Sequence, residues 1–353
     1  MASKVTLNAG TALVTGAAGG IGRETALAFA EAGVEAIVFA DINETGARDA
    51  AKASQKYAKH PQYRSLALKV DISDESSAQS MVDATVKEFG RIDYSVNSAG
   101  LGNISGAATP DLNIDVFSKT LEVNIKGTML CVRGVTKVMA EQEPLTYTGR
   151  HGTRSLGRGS IVNLGSVNSY VVAPGMMPYT TSKHAIIRLT KSVAIDCFAS
   201  YIRVNAVCPS WVDTPMMQAS LQRVPQLEPM IKTISPLHRA ATVEEVADYI
   251  SNYSTTRNAK DRYRYGFIAC PPLLSIRQFA SCNVDPNELK SRKTFEFLSN
   301  RYQSGIYQIR PSTNSLKTHK TRKLAGDKKK PYNATMSSKL LEQWVRKRYK
   351  NKG

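Results

Sequence analysis

The stretch that decides the fold runs T11-A-L-V-T-G-A-A-G-G-I-G-R-E-T-A-L-A-F-A-E-A-G33. Its first six residues are apolar and partly β-branched and are stopped by Gly16, as a strand buried on both faces requires. From Ile21 onward, alanine, leucine and phenylalanine recur at helical spacing until Gly33, which is placed to end the helix. Between the two elements, Gly16, Gly20 and Gly22 permit a tight turn and a close backbone approach. The free N–H groups of the helix start suit a phosphate. Thr15–Gly22, with Ile21 opening the helix, therefore reads as a cradle for a dinucleotide pyrophosphate.

Outward from this stretch the pattern repeats. AIVFAD (36–41) reads as a second strand, followed by a helix from about Asn43 to Ala58. SLALKVD (65–71) reads as a third strand, and Ser73 is placed to cap a helix whose apolar stripe is Ala78, Met81, Val82, Thr85, Val86 and Phe89. The strand DYSVNSAG (93–100), a long helix from about 113 to 140, the strand SIVNLGS (160–166), a helix over 179–199 and the strand IRVNAVCP (202–209) complete the alternation. Strands alternating with helices of this length predict right-handed crossovers and an α/β fold with a doubly wound parallel sheet, Rossmann-like. The polar, glycine-rich stretch 142–160 reads as a solvated loop.

Asp41 ends the second strand nineteen positions after Gly22. A carboxylate there can accept bonds from both adenosine ribose hydroxyls and repels a 2′-phosphate. Neither Ala40 nor Ile42 supplies a compensating cation, so NAD is favoured, with NADP as the alternative. Read more plainly, Asp41 is a strand-end turn residue. Asp71, beside Ile72, could bond the adenine amine or simply flank the next helix. Tyr179 and Lys183 stand four residues apart on one helix face, a spacing that becomes chemical only with other groups around it.

Taken together, TGAAGGIG (15–22), Asp41, NSAG (97–100), Asn124 in VNIKG, Ser166 and YTTSK (179–183) resemble the short-chain dehydrogenase/reductase family over about Thr11–Ile250. The resemblance implies a catalytic tetrad of Asn124, Ser166, Tyr179 and Lys183. It also implies cofactor contacts from Thr15, Gly16, Gly20, Ile21, Gly22, Asp41, Asp71, Ile72, Asn97, Ala99, Gly100, Tyr179 and Lys183, and from Val212 and Thr214, which would hold the nicotinamide carboxamide. No metal is implied.

The implied activity is interconversion of a secondary alcohol and a ketone by hydride transfer. Such a step needs a general acid or base at one oxygen. A free phenol, with a pKa of about 10, is a poor base at neutral pH, and a neighbouring ammonium is expected to lower it. In the family, Ser166 would fix the substrate oxygen, Asn124 would hold a proton-relaying water, and Lys183 would also hold the nicotinamide ribose. Ser210 stands where the family carries glycine after Pro209. The Met- and Leu-containing segment from 214 to about 236 occupies the variable substrate lid, and Met216, Met217 and Leu221 suggest an apolar substrate. The overall pattern is most similar to fungal members that modify polyketide-type metabolites.

The net charge of +18 is not shared evenly: residues 1–250 carry 24 basic and 23 acidic side chains, and 251–353 carry 23 and 6. This divides the chain into a catalytic domain, 1–250, and a basic extension, 251–353, expected to be poorly ordered. Thr242 and Glu245 stand in capping-box register in TVEEVADYI, but the family's usual last strand is not legible beyond it, and Pro271-Pro272 opposes one. A short helix is conceivable near 337–350. The extension reads as a nucleic-acid or anionic-partner tail, a tail without a partner, or an end foreign to the family. Scattered Tyr263, Tyr265 and Trp344 argue against a nucleic-acid role. Alternatives to the enzyme are a non-catalytic dinucleotide-binding protein and a nucleic-acid-associated protein acting through this tail.

Five scattered cysteines without C-x-x-C spacing argue against disulfides and zinc. The absence of a signal-like start and of a long apolar run predicts a cytoplasmic protein without a membrane span. A homo-oligomer is typical of the family, although the glycine-rich end through which its subunits pack is not legible here.

Overall fold

The computed structural model describes residues 9–149, 152–235, 237–254 and 268–269, all within one compact unit, Met1–Ser299. Six strands carry the main sheet: β1 (Thr11–Thr15), β2 (Ala36–Asp41), β3 (Arg64–Lys69), β4 (Tyr94–Asn97), β7 (Gly159–Leu164) and β8 (Ile202–Val207). They lie in the order β3-β2-β1-β4-β7-β8, and every neighbouring pair is parallel. The chain winds outward from β1 to β3 and returns to β4, so the order reverses between β1 and β4. In open α/β sheets a ligand crevice forms at that reversal, beyond the carboxyl ends of the strands.

The helices α1 (Gly20–Ala32), α2 (Glu44–Ser54), α3 (Glu75–Phe89), α4 (Ile114–Leu121), α5 (Thr128–Glu141), α6 (Met177–Asp196), α7 (Pro215–Arg223), α8 (Leu227–Ile234) and α9 (Val243–Ser254) follow the alternation. Two apolar layers result. Ala12 and Val14 of β1 join Phe29, Ile37 and Phe39 on one face. Leu13, between them in sequence, joins Val38, Met81, Val135 and Ile161 on the other. β1 is buried throughout, which explains why parallel strands here read as continuous apolar runs.

Several local expectations meet the structure directly. Gly33 takes φ 94° and ends α1 as a left-handed cap. Thr242 and Glu245 exchange hydrogen bonds at the start of α9, at 2.8 and 3.2 Å.

Others are corrected. Asp74, not Ser73, caps α3, its carboxylate accepting from Ser77 N at 2.6 Å. Ser73 is drawn instead to Asp71, to which it donates from both Oγ (2.6 Å) and N (2.9 Å). The stretch 142–160 is not a simple loop: β5 (Leu145–Gly149) and β6 (Gly152–Gly157) form an antiparallel hairpin. Its polar faces are held by paired Thr148 and Thr153 hydroxyls at 2.8 Å and by Arg154 over the Tyr147 ring at 5.1 Å. The long helix expected over 113–140 is three pieces, with a π-helical segment, Glu122–Gly127, between α4 and α5.

At the β8 edge, a two-residue strand β9 (Ile268–Ala269) pairs parallel with Ala206 and Val207. Pro271-Pro272, the basic stretches of the extension and the conceivable helix near 337–350 lie outside the described residues. Among the described residues, no helix is long and apolar enough to cross a membrane.

Candidate active site

The cradle is built as its glycines demand. Gly16 takes φ 72°, and a Cβ there would stand 2.7 Å from the backbone nitrogen of Ala99, so the turn after β1 lies directly against the NSAG segment after β4. Ala99 N donates to Thr15 Oγ1 at 3.3 Å and fixes that approach. A Cβ on Gly22 would collide with the Gly16 carbonyl. The turn is thus closed tightly around its own backbone, leaving the first N–H groups of α1 at the crevice.

Asp41, at the end of β2, is tied into this cradle: its carboxylate accepts from Ala18 N at 3.0 Å and from Asn43 N at 2.9 Å. Each oxygen retains acceptor capacity beyond these bonds. Asn43 in turn caps α2 through Gly46 N.

The four side chains expected to handle protons converge from three elements, the π-helical segment, the end of β7 and α6. Asn124 lies in the π-helical segment and is only 2 % exposed. Its Oδ1 accepts from Leu101 N at 2.7 Å, and its Nδ2 donates to Leu101 O and to Ser182 Oγ, both at 3.0 Å. π-Bulges recur at functional sites because they turn side chains off the regular helical stripe. Ser182 Oγ donates to Tyr179 O at 2.7 Å, so Asn124 is linked through one hydroxyl to the first turn of α6.

Ser166 follows β7, and its hydroxyl is near enough to the Tyr179 phenol to favour the ionised form. Lys183 Nζ lies 5.6 Å from the centroid of the Tyr179 ring and donates to Leu164 O at 2.8 Å. The site of a Cβ on Gly100 is 3.1 Å from Asn124 Oδ1 and 4.0 Å from Lys183 Nζ, which places NSAG between cradle and tetrad.

Burial sets the protonation of this pair. Lys183, 9 % exposed, is pushed down to about 8 from an ordinary 10.5, with Cys208 opposing the fall. The half-buried Tyr179 phenol is raised by desolvation, an effect reduced by the Ser166 hydrogen bond and increased by Cys208. The expected lowering of the phenol by the ammonium is therefore corrected: burial outweighs it and the phenol is raised. At rest the pair holds a protonated phenol.

The loop after β8 closes over the cradle. Val212 forms a parallel bridge with Ala241, and Thr214 caps α7 by accepting from Met217 N at 3.1 Å. The Thr214 Cγ2 stands 3.4 Å from where a Cβ on Gly20 would be. Met216 fills the space over Gly102, and Arg223 Nη2 donates to Asn103 O at 3.0 Å, so the lid helix α7 rests on the segment that Asn124 holds.

Three of the expected cofactor residues also have contacts within the chain. Asn97 donates to Asn163 Oδ1 at 2.8 Å, and Asn163 to Thr190 at 3.0 Å, so its amide ties β4 to β7 and α6. Its Oδ1 is buried without a partner. Asp71 is bound to Ser73, and that bond holds its carboxyl below the usual range. Ile72 packs against Gly127 of the π-helical segment.

The sequence reading missed Ser169, Ser182 and the carbonyls of Leu101 and Leu164. Only the capping-box spacing Ser166-x-x-Ser169 could have marked the first of these, and nothing in the sequence marks the carbonyls.

The family model described as enoyl-(acyl carrier protein) reductase matches residues 16–252. The short-chain dehydrogenase anuF of Penicillium roqueforti is 44 % identical over 250 residues, 71 % of this chain and 91 % of that protein. The 2-(R)-hydroxypropyl-CoM dehydrogenase of Xanthobacter autotrophicus is 35 % identical over 68 % of this chain and 88 % of its own length. Among solved structures, levodione reductase has a TM-score of 0.65 at 27 % identity, covering 74 % of this chain and 95 % of that one. NAD+-bound xylitol dehydrogenase has 0.64 at 28 %, covering 74 % and 96 %. The family model over residues 16–252 and these relatives show that the chain belongs to the short-chain dehydrogenase/reductase family of oxidoreductases.

Proposed function

We propose that this chain is an NAD-dependent dehydrogenase or ketoreductase acting on an apolar secondary alcohol or ketone, with Tyr179 as the proton-handling group. The observation that carries the reading is that Ser166 and Lys183 both lie close to Tyr179, beside a glycine cradle with no room for a side chain at Gly16 or Gly22. The cradle, the remaining acceptor capacity of Asp41 and the unpartnered Asn97 Oδ1 fit a bound dinucleotide. When bound, it supplies the hydride acceptor or donor.

The chain's own groups do the rest. Tyr179 gives a proton to the forming alkoxide in reduction, or takes one from the alcohol in oxidation. Ser166 holds the substrate oxygen in register with the phenol. Lys183 stabilises phenolate as it forms, and Asn124 fixes α6 through Ser182. Met216 and Met217 support an apolar substrate, and the fungal relatives support a place in secondary metabolism.

Two outcomes test the assignment. The kcat/KM for cofactor reports the free enzyme and is expected to fall about tenfold per pH unit above about pH 8, as Lys183 loses its proton. A profile flat to pH 10 (roughly the ordinary phenol range) would separate Lys183 from the reaction. The same shift also bears on stability. The folded state holds this proton less tightly than the unfolded one, so Lys183 costs stability below about pH 8, and that cost is relieved as pH rises towards 10.5.

Asp41→Asn keeps an acceptor but removes the charge. Its expected effect is an NAD Kd about tenfold higher and a preference for NAD over NADP at least about tenfold smaller, because charge-assisted bonds are roughly twice as strong as neutral ones. Titration of both cofactors reads it, and an unchanged ratio would remove Asp41 from cofactor selection.

A further inference from the structure

The tetrad is held by a residue outside it. Ser169 closes the single 3₁₀ turn Val167–Ser169 that follows β7, and it is 4 % exposed. Its Oγ accepts from Ser166 N at 3.2 Å and donates to Lys183 O at 2.7 Å. Lys183 is in the interior of α6, so its carbonyl receives this bond on its second lone pair. The Lys183 side chain then returns to β7, where Nζ donates to Leu164 O at 2.8 Å.

Leu164, Gly165, Ser166, the Ser169 hydroxyl and Lys183 thus form a closed ring joining the end of β7 to the catalytic face of α6. The ring is filled. A Cβ on Gly165, at its centre, would stand 3.1 Å from Ser169 Oγ and 2.5 Å from Cys208 Sγ. Gly165 N is itself fixed to Val207 O at 2.8 Å.

We propose that Ser169 is a positioning residue: its hydroxyl sets the separation between Ser166 and the α6 face that carries Tyr179 and Lys183. The Ser166 hydroxyl accepts from Asn168 N at 3.2 Å while it meets the phenol, so its direction follows its backbone. That backbone is anchored at N–H by Ser169. Without the hydroxyl, two bonds are lost together, one to the strand end that carries Ser166 and one to α6. This role rests on the function proposed above. The plainer alternative is that Ser169 merely caps the 3₁₀ turn.

The test compares full-length wild type, Ser169→Ala, Ser169→Thr and Tyr179→Phe. Ser169→Ala is expected to lower kcat about 10- to 100-fold, the scale of a small misplacement of reacting groups. Cofactor Kd should stay within about threefold, because the cradle is untouched. The pH break should move, and amide exchange in a peptide spanning 164–171 should speed up about tenfold or more with the lost acceptor. Ser169→Thr, which keeps the hydroxyl, should restore most of the rate.

Wild-type kcat in Ser169→Ala, a loss confined to Tm with an unmoved pH break, or no rescue by threonine would each overturn the proposal. If Ser169→Ala does not fold, Ser169→Cys keeps an unbranched side chain with a weak donor and acceptor, weakens both bonds and gives the same readouts. Turnover by wild type with a dead Tyr179→Phe decides the functional reading. The exchange of 164–171 decides the role of Ser169 even where no substrate is turned over.

Discussion

Replacing Tyr179 with phenylalanine is expected to lower kcat by about three orders of magnitude, within the range for a positioned general acid or base, and to leave NAD affinity within about threefold. The ring, which carries the packing and the Lys183 contact at 5.6 Å, is retained, and only the proton-bearing oxygen is removed. Ser166 Oγ still accepts from Asn168 N, so the lost phenol does not leave it without a bond. Fold stability should therefore change by less than about 1 kcal/mol. Single-turnover hydride transfer and cofactor titration on the same preparation read the two halves separately. A variant that keeps a tenth of the activity would place the proton on another group.

The second large effect is expected at Gly22. A Cβ there collides with the Gly16 carbonyl oxygen and comes within 2.7 Å of its carbon and 3.2 Å of Thr15 O. All three are backbone atoms at the end of the central strand β1, and none can rotate away. Gly16 cannot yield easily, because it is in the left-handed region at φ 72° and pressed against the backbone of Ala99. Gly22→Ala should cost about 3 kcal/mol of stability or more, the upper end for overpacking, and weaken NAD binding by at least about 100-fold (each 1.4 kcal/mol being tenfold). Thermal unfolding and cofactor titration measure both. A variant with wild-type Tm and Kd would show that the turn is looser than its geometry.

Much of this was legible in the sequence for identifiable reasons. Parallel strands buried on both faces read as apolar runs, so AIVFAD and SIVNLGS declare themselves. The cradle was legible because only glycine tolerates both φ 72° at Gly16 and the backbone contact at Gly22. What escaped notice depends on partners distant in the chain. The hairpin of β5 and β6 has no buried position among the described residues and few apolar side chains, so no hydrophobic run announces it. The π-helical turn that carries Asn124 has the same residue types as a regular helix. It shows itself only where Gly127 meets Ile72 and Asn124 meets Leu101.

The same limit explains the misjudged electrostatics. Four-residue spacing places Tyr179 and Lys183 together, but the sequence does not show that burial raises the phenol, or that the Leu164 carbonyl claims the ammonium. Nor does it show that Ser73 would be taken by Asp71 and the α3 cap left to Asp74. Short-range chemistry names candidates for each role, and tertiary contacts choose among them.

Under the proposed function, Tyr179, Ser166 and Lys183 carry out proton transfer while hydride passes between a substrate carbon and the cofactor in the adjoining cradle. The most direct measurement uses full-length protein, NAD and a panel of secondary alcohols deuterated at the carbinol carbon, with label followed into the nicotinamide ring. Stereospecific transfer of deuterium to the cofactor is expected from the wild type, and its loss in Tyr179→Phe. NAD binding without label transfer from any member of the panel, or transfer that survives in Tyr179→Phe, would contradict it.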